Sequence, residues 1–176
     1  MKLTFAPITE PQNQKYAEQI QSVNSVSVHI RRGDFVALNW NSSPEWYKRA
    51  IMIAEQKVEK AVYFVFSDEL DWCKANRAAL GLSEVWERVV FVEGNSSITN
   101  FMDMQLMSMC KTNILVGASS FSYLAALLNA NNNAMVINAS GREVRGYPER
   151  GKMSDNRIFK LKGYNVFQAS LLILQS

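Results

Sequence analysis

Six consecutive apolar residues, Ala61-Val-Tyr-Phe-Val-Phe66, leave no polar side to offer solvent. A strand of that kind must be covered on both faces, the condition of a parallel sheet sandwiched between helices. Similar runs rich in β-branched residues recur at 26–30, 89–92, 113–117 and 135–138. Helical patterns fill the intervals. Ser42 or Ser43 serves as N-cap, with Pro44 in the first turn and Glu45 beside the positive helix end. Trp46, Ala50, Ile53 and Ala54 then form an apolar stripe to about residue 56. A short helix holds Leu70, Trp72 and Cys73, a methionine-rich one spans about 99–110, and an apolar one opens at Ala118-Ser-Ser-Phe-Ser122 and ends near Asn129. Strand and helix alternate about five times at the spacing of βαβ units. The expected fold class is α/β, a parallel sheet of about five strands with helices on both faces.

The flanks are less regular. Residues 1–25 contain two prolines and a short helical pattern over 13–23, with Tyr16, Ile20 and Val23 along one side. Residues 36–43 read as a loop carrying Trp40, and Gly33 as a tight change of direction. The polar stretch 140–165 is broken by Gly141, Gly146, Pro148, Gly151 and Gly163, and 166–174 reads as a final amphipathic helix. The division expected is an N-terminal extension (1–25), a ligand-binding domain (26–140), and a C-terminal loop and helix packing on that domain (141–176).

Nineteen basic and sixteen acidic residues give a net charge of +3, too mild for general nucleic-acid binding. The two cysteines, Cys73 and Cys110, lack metal-ligand spacing and read as reduced thiols, which suits the cytoplasm. A single histidine argues against a zinc site, and no metal is expected. No apolar stretch approaches a membrane span and the polar start is not a signal peptide. The expected location is cytoplasmic, with peripheral membrane association compatible.

Three predicted strand ends carry polar groups, and in this architecture such ends share one rim. The first is Val26-Ser-Val-His-Ile-Arg-Arg-Gly-Asp34, a strand that delivers two guanidinium groups to its carboxyl end. Arginine presents a planar fork of donors that matches phosphate oxygens, so a diphosphate clamp is expected. Successive side chains alternate in facing, so Arg31 is assigned to the ligand and Arg32 to a carboxylate such as Asp34 or Asp68. The second is Ser67-Asp68, for which helix capping competes with ligand contact. The third is Gly117-Ala-Ser-Ser-Phe-Ser122, where backbone N–H groups, hydroxyls and a helix dipole would face an anion together. It lacks the lysine and glycine spacing of a Walker loop. Asp103 interrupts the apolar run 101–107 and is either exposed on the helix or an acceptor for the N1 and N2 donors of guanine. The methionines around it read as core packing. His29 is a candidate acid or base, or a structural residue of the strand.

Together these motifs resemble one family. Val28-His-Ile-Arg-Arg-Gly-Asp-Phe35, Phe64-Val-Phe-Ser-Asp-Glu69, Asp103-Met-Gln-Leu-Met-Ser-Met-Cys110 and Ser119-Ser-Phe-Ser122 occur in the order seen in bacterial alpha-1,2-fucosyltransferases. The resemblance covers about residues 26–138, and Ser43-Pro-Glu-Trp-Tyr-Lys48 is also similar. It implies the Rossmann-like, nucleotide-binding half of a two-domain glycosyltransferase, with GDP-fucose as donor, no cofactor, and a galactose-containing glycan as acceptor. The implied reaction is metal-independent transfer of fucose to a galactoside 2-hydroxyl with inversion. By the same resemblance Arg31 holds and stabilises the leaving diphosphate; His29 and Asp34, its neighbours in the sequence, complete the catalytic set expected from the residues. Arg31, Arg32, Ser67, Asp68, Asp103, Ser119, Ser120, Phe121 and Ser122 form the donor-binding set.

Two departures from the family pattern are visible. No glycine-rich half precedes residue 26, and Tyr123-Leu124-Ala125 stands where a tryptophan pair and a glycine are usual. The alternative expectation is therefore a truncated, inactive module that binds GDP or a GDP-sugar. An adhesion role for Arg32-Gly33-Asp34 is disfavoured, because a tripeptide buried at a strand end is inaccessible to a partner.

Overall fold

Six parallel strands in the order β3-β2-β1-β4-β5-β6 form one sheet in the computed structural model, which describes residues 5–115, 119–131, 133–138 and 165–168. They are β1 Asn24–Ile30, β2 Ala61–Ser67, β3 Val89–Phe91, β4 Thr112–Leu115, β5 Met135–Asn138 and β6 Asn165–Gln168. The helices are α1 Pro11–Ser22, α2 Gly33–Ala37, α3 Pro44–Lys57, α4 Leu70–Ala75, α5 Asn100–Met109 and α6 Ser120–Leu127. The five expected strands are present within a residue or two, and a sixth joins them.

That sixth strand corrects one expectation. Residues 165–168 pair in register with β5, Met135 opposite Asn165, where a helix over 166–174 was expected. Val166 and Phe167 suit a strand as well as a helix, and four residues are too few for periodicity to arbitrate. The unpaired side of β5 supplies the ladder that decides. Residues 169–174 and most of the expected polar stretch lie outside the described residues. A second correction concerns 33–37, which form the one-turn helix α2 rather than a turn into a loop.

The β2 run behaves as its composition requires. Ala61, Tyr63 and Val65 enter one core with Val26, Val28 and Ile30 of β1 and the α3 stripe Trp46, Ala50, Ile53 and Ala54. Phe64 and Phe66 enter the opposite core with Ile20 of α1, Leu106 and Met107 of α5, and Ala125 of α6. Each fully buried large side chain stabilises the fold by about 1.5–3 kcal/mol relative to exposure, so β2 contributes on both sides of the sheet. Helix α3 starts as its sequence indicates, the Ser43 hydroxyl accepting from the Trp46 N–H at 3.3 Å.

One row of β1 is polar yet buried. Ser25, Ser27 and His29 alternate with the valines and face α5 and α6. The Asn113 amide on β4 donates to Ser27 Oγ at 2.7 Å and to the Met107 carbonyl at 2.8 Å. Asn129, just after α6, donates to the Cys110 carbonyl at 2.7 Å and to Asn113 Oδ1 at 3.2 Å. This network ties β1, β4 and the helix ends where a parallel sheet would ordinarily be apolar. Most buried polar groups are bonded, and here Ser27, Asn113 and Asn129 satisfy one another. Asn113→Ala should therefore cost about 2–3 kcal/mol of stability by stranding its partners. Urea unfolding should show a lower midpoint at an unchanged slope.

Candidate functional site

The strand order reverses direction between β1 and β4, and ligands of open α/β sheets bind outside the carboxyl ends of strands at such a switch point. An open cleft of about 1040 Å³ lies there. It is lined by His29 and Arg31 from the end of β1, Ser67 and Asp68 from the end of β2, Asp103 from α5, and Ser119, Ser120 and Phe121 from the start of α6. Residues widely separated in sequence thus meet on one rim. Arg32, Asp34 and Ser122 do not line it.

Asp68 organises the rim. Its Oδ1 accepts from the Arg32 backbone N–H at 2.9 Å, and its Oδ2 lies 3.0 Å from Arg31 Nη1. A Cβ at position 33 would stand 2.6 Å from that Oδ2, so only glycine leaves the carboxylate its place. Gly33 is needed for close approach, not for the unusual backbone angle that a tight turn would demand. Asp68 is also not a helix cap. The Ser67 hydroxyl takes the local turn bond, from Glu69 N–H at 3.0 Å, while Asp68 reaches across to β1.

The two arginines do face differently, although with other partners than expected. Arg31 holds Asp34 Oδ1 at 2.7 Å as well as Asp68, and its guanidinium carbon sits 5.5 Å from the Phe35 ring centre. Arg32 Nε pairs with Glu69 Oε2 at 2.9 Å and stacks on the Trp72 indole, 3.4 Å from its centre. Neither Asp34 nor the Asp68 side chain pairs with the Arg32 side chain. These ion pairs are part-exposed and add little stability. Their effect is to restrict where the Arg31 fork points. Gly33 and Asp34 are exposed rather than buried, so inaccessibility does not argue against adhesion. Asp34 is instead committed to Arg31.

His29 is 7% exposed and its ring lies 5.2 Å from that of Phe121. Burial, reinforced by the Arg31 charge, lowers its pKa from 6.5 to about 4. It is neutral at pH 7, and its Nδ1 has no hydrogen-bond partner. Asp103 is half-buried, not an exposed helix residue, and burial raises its pKa against the opposing effect of an Asn95 hydrogen bond. At the start of α6, Ser119 makes no side-chain cap bond, and buried Ser122 donates to the Ser119 carbonyl at 3.1 Å. Gly117 and Ala118 of the expected anion loop lie outside the described residues.

Several cleft residues had not been picked out from sequence: Asn95, Glu93, Asp71 and Trp72. The signal for Asn95 was available, since the polar loop 93–97 follows β3 and must reach the same rim. Among the described residues lining the cleft, Arg31 is the one cation against five carboxylates, Asp68, Glu69, Asp71, Glu93 and Asp103. No group of three or more described His, Cys, Asp or Glu residues is arranged to hold a metal ion. No described helix is long and apolar enough to cross a membrane.

A parallel sheet in the order 3-2-1-4-5-6 with a polar cleft at its switch point defines the class as a Rossmann-like α/β fold. The chain belongs to glycosyl transferase family 11, whose profile matches residues 9–149. It is 37% identical over 134 residues to an alpha-1,2-colitosyltransferase of Escherichia coli, a match covering 70% of this chain and 43% of that protein. It is 31% identical over 125 residues to the O-antigen biosynthesis glycosyltransferase WbnK of Escherichia coli, covering 66% of this chain and 38% of that protein. The match thus spans less than half the length of either relative. Among solved structures it is similar to fucosyltransferase NodZ from Bradyrhizobium, at 20% identity and a TM-score of 0.48 over 66% of this chain and 40% of that one.

Two outcomes follow from this geometry. His29 is the chain's single histidine, so its imidazole resonances are unambiguous in a proton NMR titration and should show a midpoint near pH 4. Between pH 6.5 and 4 the unfolded chain binds the extra proton, so stability should fall on acidification through that window, by up to about 3 kcal/mol. His29→Gln should remove that component. Gly33→Ala should displace the Asp68 carboxylate with little net loss of stability, since the carboxylate is a movable side-chain end and alanine suits helix α2 better than glycine by up to about 1 kcal/mol. The displacement should appear in the resonance of the Arg32 amide while thermal unfolding stays nearly unchanged.

Proposed function

We propose that the chain forms the donor-binding half of a glycosyltransferase that moves fucose from GDP-fucose to the 2-hydroxyl of a galactose-containing glycan, with inversion at the anomeric carbon. The observation that supports this most directly is the convergence of Arg31, Asp103 and the opening of α6 in one cleft. A diphosphate is drawn to the positive pole of that cleft, the Arg31 fork and the α6 N-terminus. The carboxylate-rich remainder suits the hydrogen-donating parts of the ligand, the sugar hydroxyls and the guanine N–H groups.

In the proposed reaction the bond between the anomeric carbon and the β-phosphate oxygen breaks, and GDP leaves with the electron pair. The acceptor oxygen bonds to the opposite face, and its proton passes to solvent as the new bond forms. Arg31 stabilises the negative charge that develops on the departing diphosphate, where a prepositioned cation lowers the barrier. Its pairs with Asp34 and Asp68 preset its direction. Neutral His29, with a pKa near 4, is a weak base, so it fits a hydrogen-bonding role in the cleft better than that of general base. No metal enters this scheme.

Calorimetry should find GDP binding that survives chelator and exceeds binding of uridine diphosphate. Arg31→Lys should weaken GDP by about 1.5–3 kcal/mol and GMP far less, because lysine keeps the charge but loses the fork. A magnesium requirement, or equal loss for GDP and GMP, would refute the clamp. With GDP-fucose and lactose, slow release of GDP with little fucosyl-lactose is the outcome expected of a donor half alone, since orienting the acceptor supplies much of the rate. A colitosyl donor belongs in the same assay, given the colitosyltransferase relative. GDP binding with neither product would favour the binding-module alternative.

A further inference from the structure

Helix α1 precedes the domain boundary drawn from sequence, yet three of its residues grip the loop between β3 and α5. Gln12 Nε2 donates to the Glu93 carbonyl at 3.1 Å, and the Tyr16 hydroxyl accepts from the Glu93 N–H at 3.2 Å. Gly94 has a φ of +96°, and a Cβ there would stand 2.9 Å from Gln12 Oε1, so the loop lies flush against the helix. The third residue, Asn13, is 3% exposed and lies behind the cleft rather than in it.

Asn13 and Asn95 form a reciprocal amide pair. Asn13 Nδ2 donates to Asn95 Oδ1 at 2.9 Å, and Asn95 Nδ2 donates back to Asn13 Oδ1 at 3.2 Å. Each amide nitrogen has two hydrogens. The second on Asn13 goes to Met102 Sδ at 3.1 Å, and the second on Asn95 goes to Asp103 Oδ1 at 2.6 Å. Every amide donor is used, which determines the orientation of the Asn95 side chain: a flipped amide would set its oxygen against the Asp103 carboxylate.

We infer that Asn95 is a positioning residue for Asp103, held in its working orientation by Asn13, so that helix α1 is part of the machinery that selects the nucleotide base. The chain Asn13–Asn95–Asp103 occupies one oxygen of the carboxylate, Oδ1, and leaves Oδ2 to accept from the ligand. It also restrains the rotation of a side chain that is half-buried on α5. The inference rests on the proposed guanine contact of Asp103 and extends it to Asn95, which lines the cleft beside it, and to Asn13, which does not.

The test is the ratio of GDP to inosine diphosphate affinity, measured by calorimetry on the whole chain. The inosine nucleotide lacks the exocyclic amine that the Asp103 carboxylate would accept from. Asn95→Ala, on a part-exposed loop, should lower the ratio about tenfold. Asn13→Ala should lower it in the same direction from its buried position, and if that variant does not fold, Asn13→Ser, still polar but too short to complete the amide pair, takes its place. In an Asp103→Ala background the Asn95 substitution should leave the ratio unchanged. A merely structural role would weaken both nucleotides equally or lower only the melting temperature, and an unchanged ratio in Asn95→Ala overturns the inference. A wild-type chain without guanine preference, or with a preference that Asp103→Ala leaves intact, overturns the Asp103 reading itself and the relay with it. Selectivity that depends on Asp103 but not on Asn95 overturns the relay alone.

Discussion

The cleft depends on a single carboxylate that joins two strand ends. β1 and β2 run in register to their last residues, Ile30 opposite Ser67, so the chain leaves both strands side by side. Asp68 closes that junction by accepting the Arg32 N–H and facing the Arg31 guanidinium, in space that glycine at 33 keeps open. The direction of Arg31, the departure of α2 and the separation of the two arginines all follow from this bridge. Arg32 turns away to lie on Trp72 and meet Glu69, so the tandem pair divides into one group facing the cleft and one that supports the rim.

The architecture was legible because a fully buried parallel strand has a distinctive composition, and β2 shows it without interruption. The rim was legible through the rule that ligands gather at strand carboxyl ends, which brought His29, Arg31, Asp68 and Ser119 forward as candidates, while Asp103 stood out as a carboxylate inside an apolar helical run. Pair geometry was not legible. Alternation along an extended strand indicates that two neighbours face apart, but not which carboxylate each meets, and those of Asp34, Asp68 and Glu69 were all within plausible reach. Gly33 was misread for a related reason. Sequence reveals that a position lacks a side chain, but not whether the backbone or a neighbour requires its absence. The short sixth strand was missed because four residues carry too little periodicity, and pairing with β5 decided its state.

The polar interior was the least visible part. Ser25, Ser27 and His29 alternate with valines as they would in a strand with one wet face, yet all three are buried. The partners of the two serines are distant: Ser25 accepts from the Lys111 N–H, and Ser27 from Asn113, 86 residues away, which in turn accepts from Asn129. No local pattern encodes such a match. The polar row of β1 ends at the cleft with His29, whose Nδ1 has no hydrogen-bond partner.

That row also bears on how the domain assembles. β1 is the first strand of the sheet to be synthesised, but its two hydrogen-bonded neighbours, β2 and β4, emerge later, and the Ser27–Asn113 bond closes a separation of 86 residues. A sheet whose central strand depends on such distant pairing has high contact order and folds slowly. Until β2 and β4 arrive, a nascent chain carries β1 with both edges open, the condition under which growing chains mispair or aggregate. The cleft therefore has no working partial form during synthesis: Arg31 is among the first of its groups to leave the ribosome, and its setting is complete only after the strand that anchors Ser27 has followed.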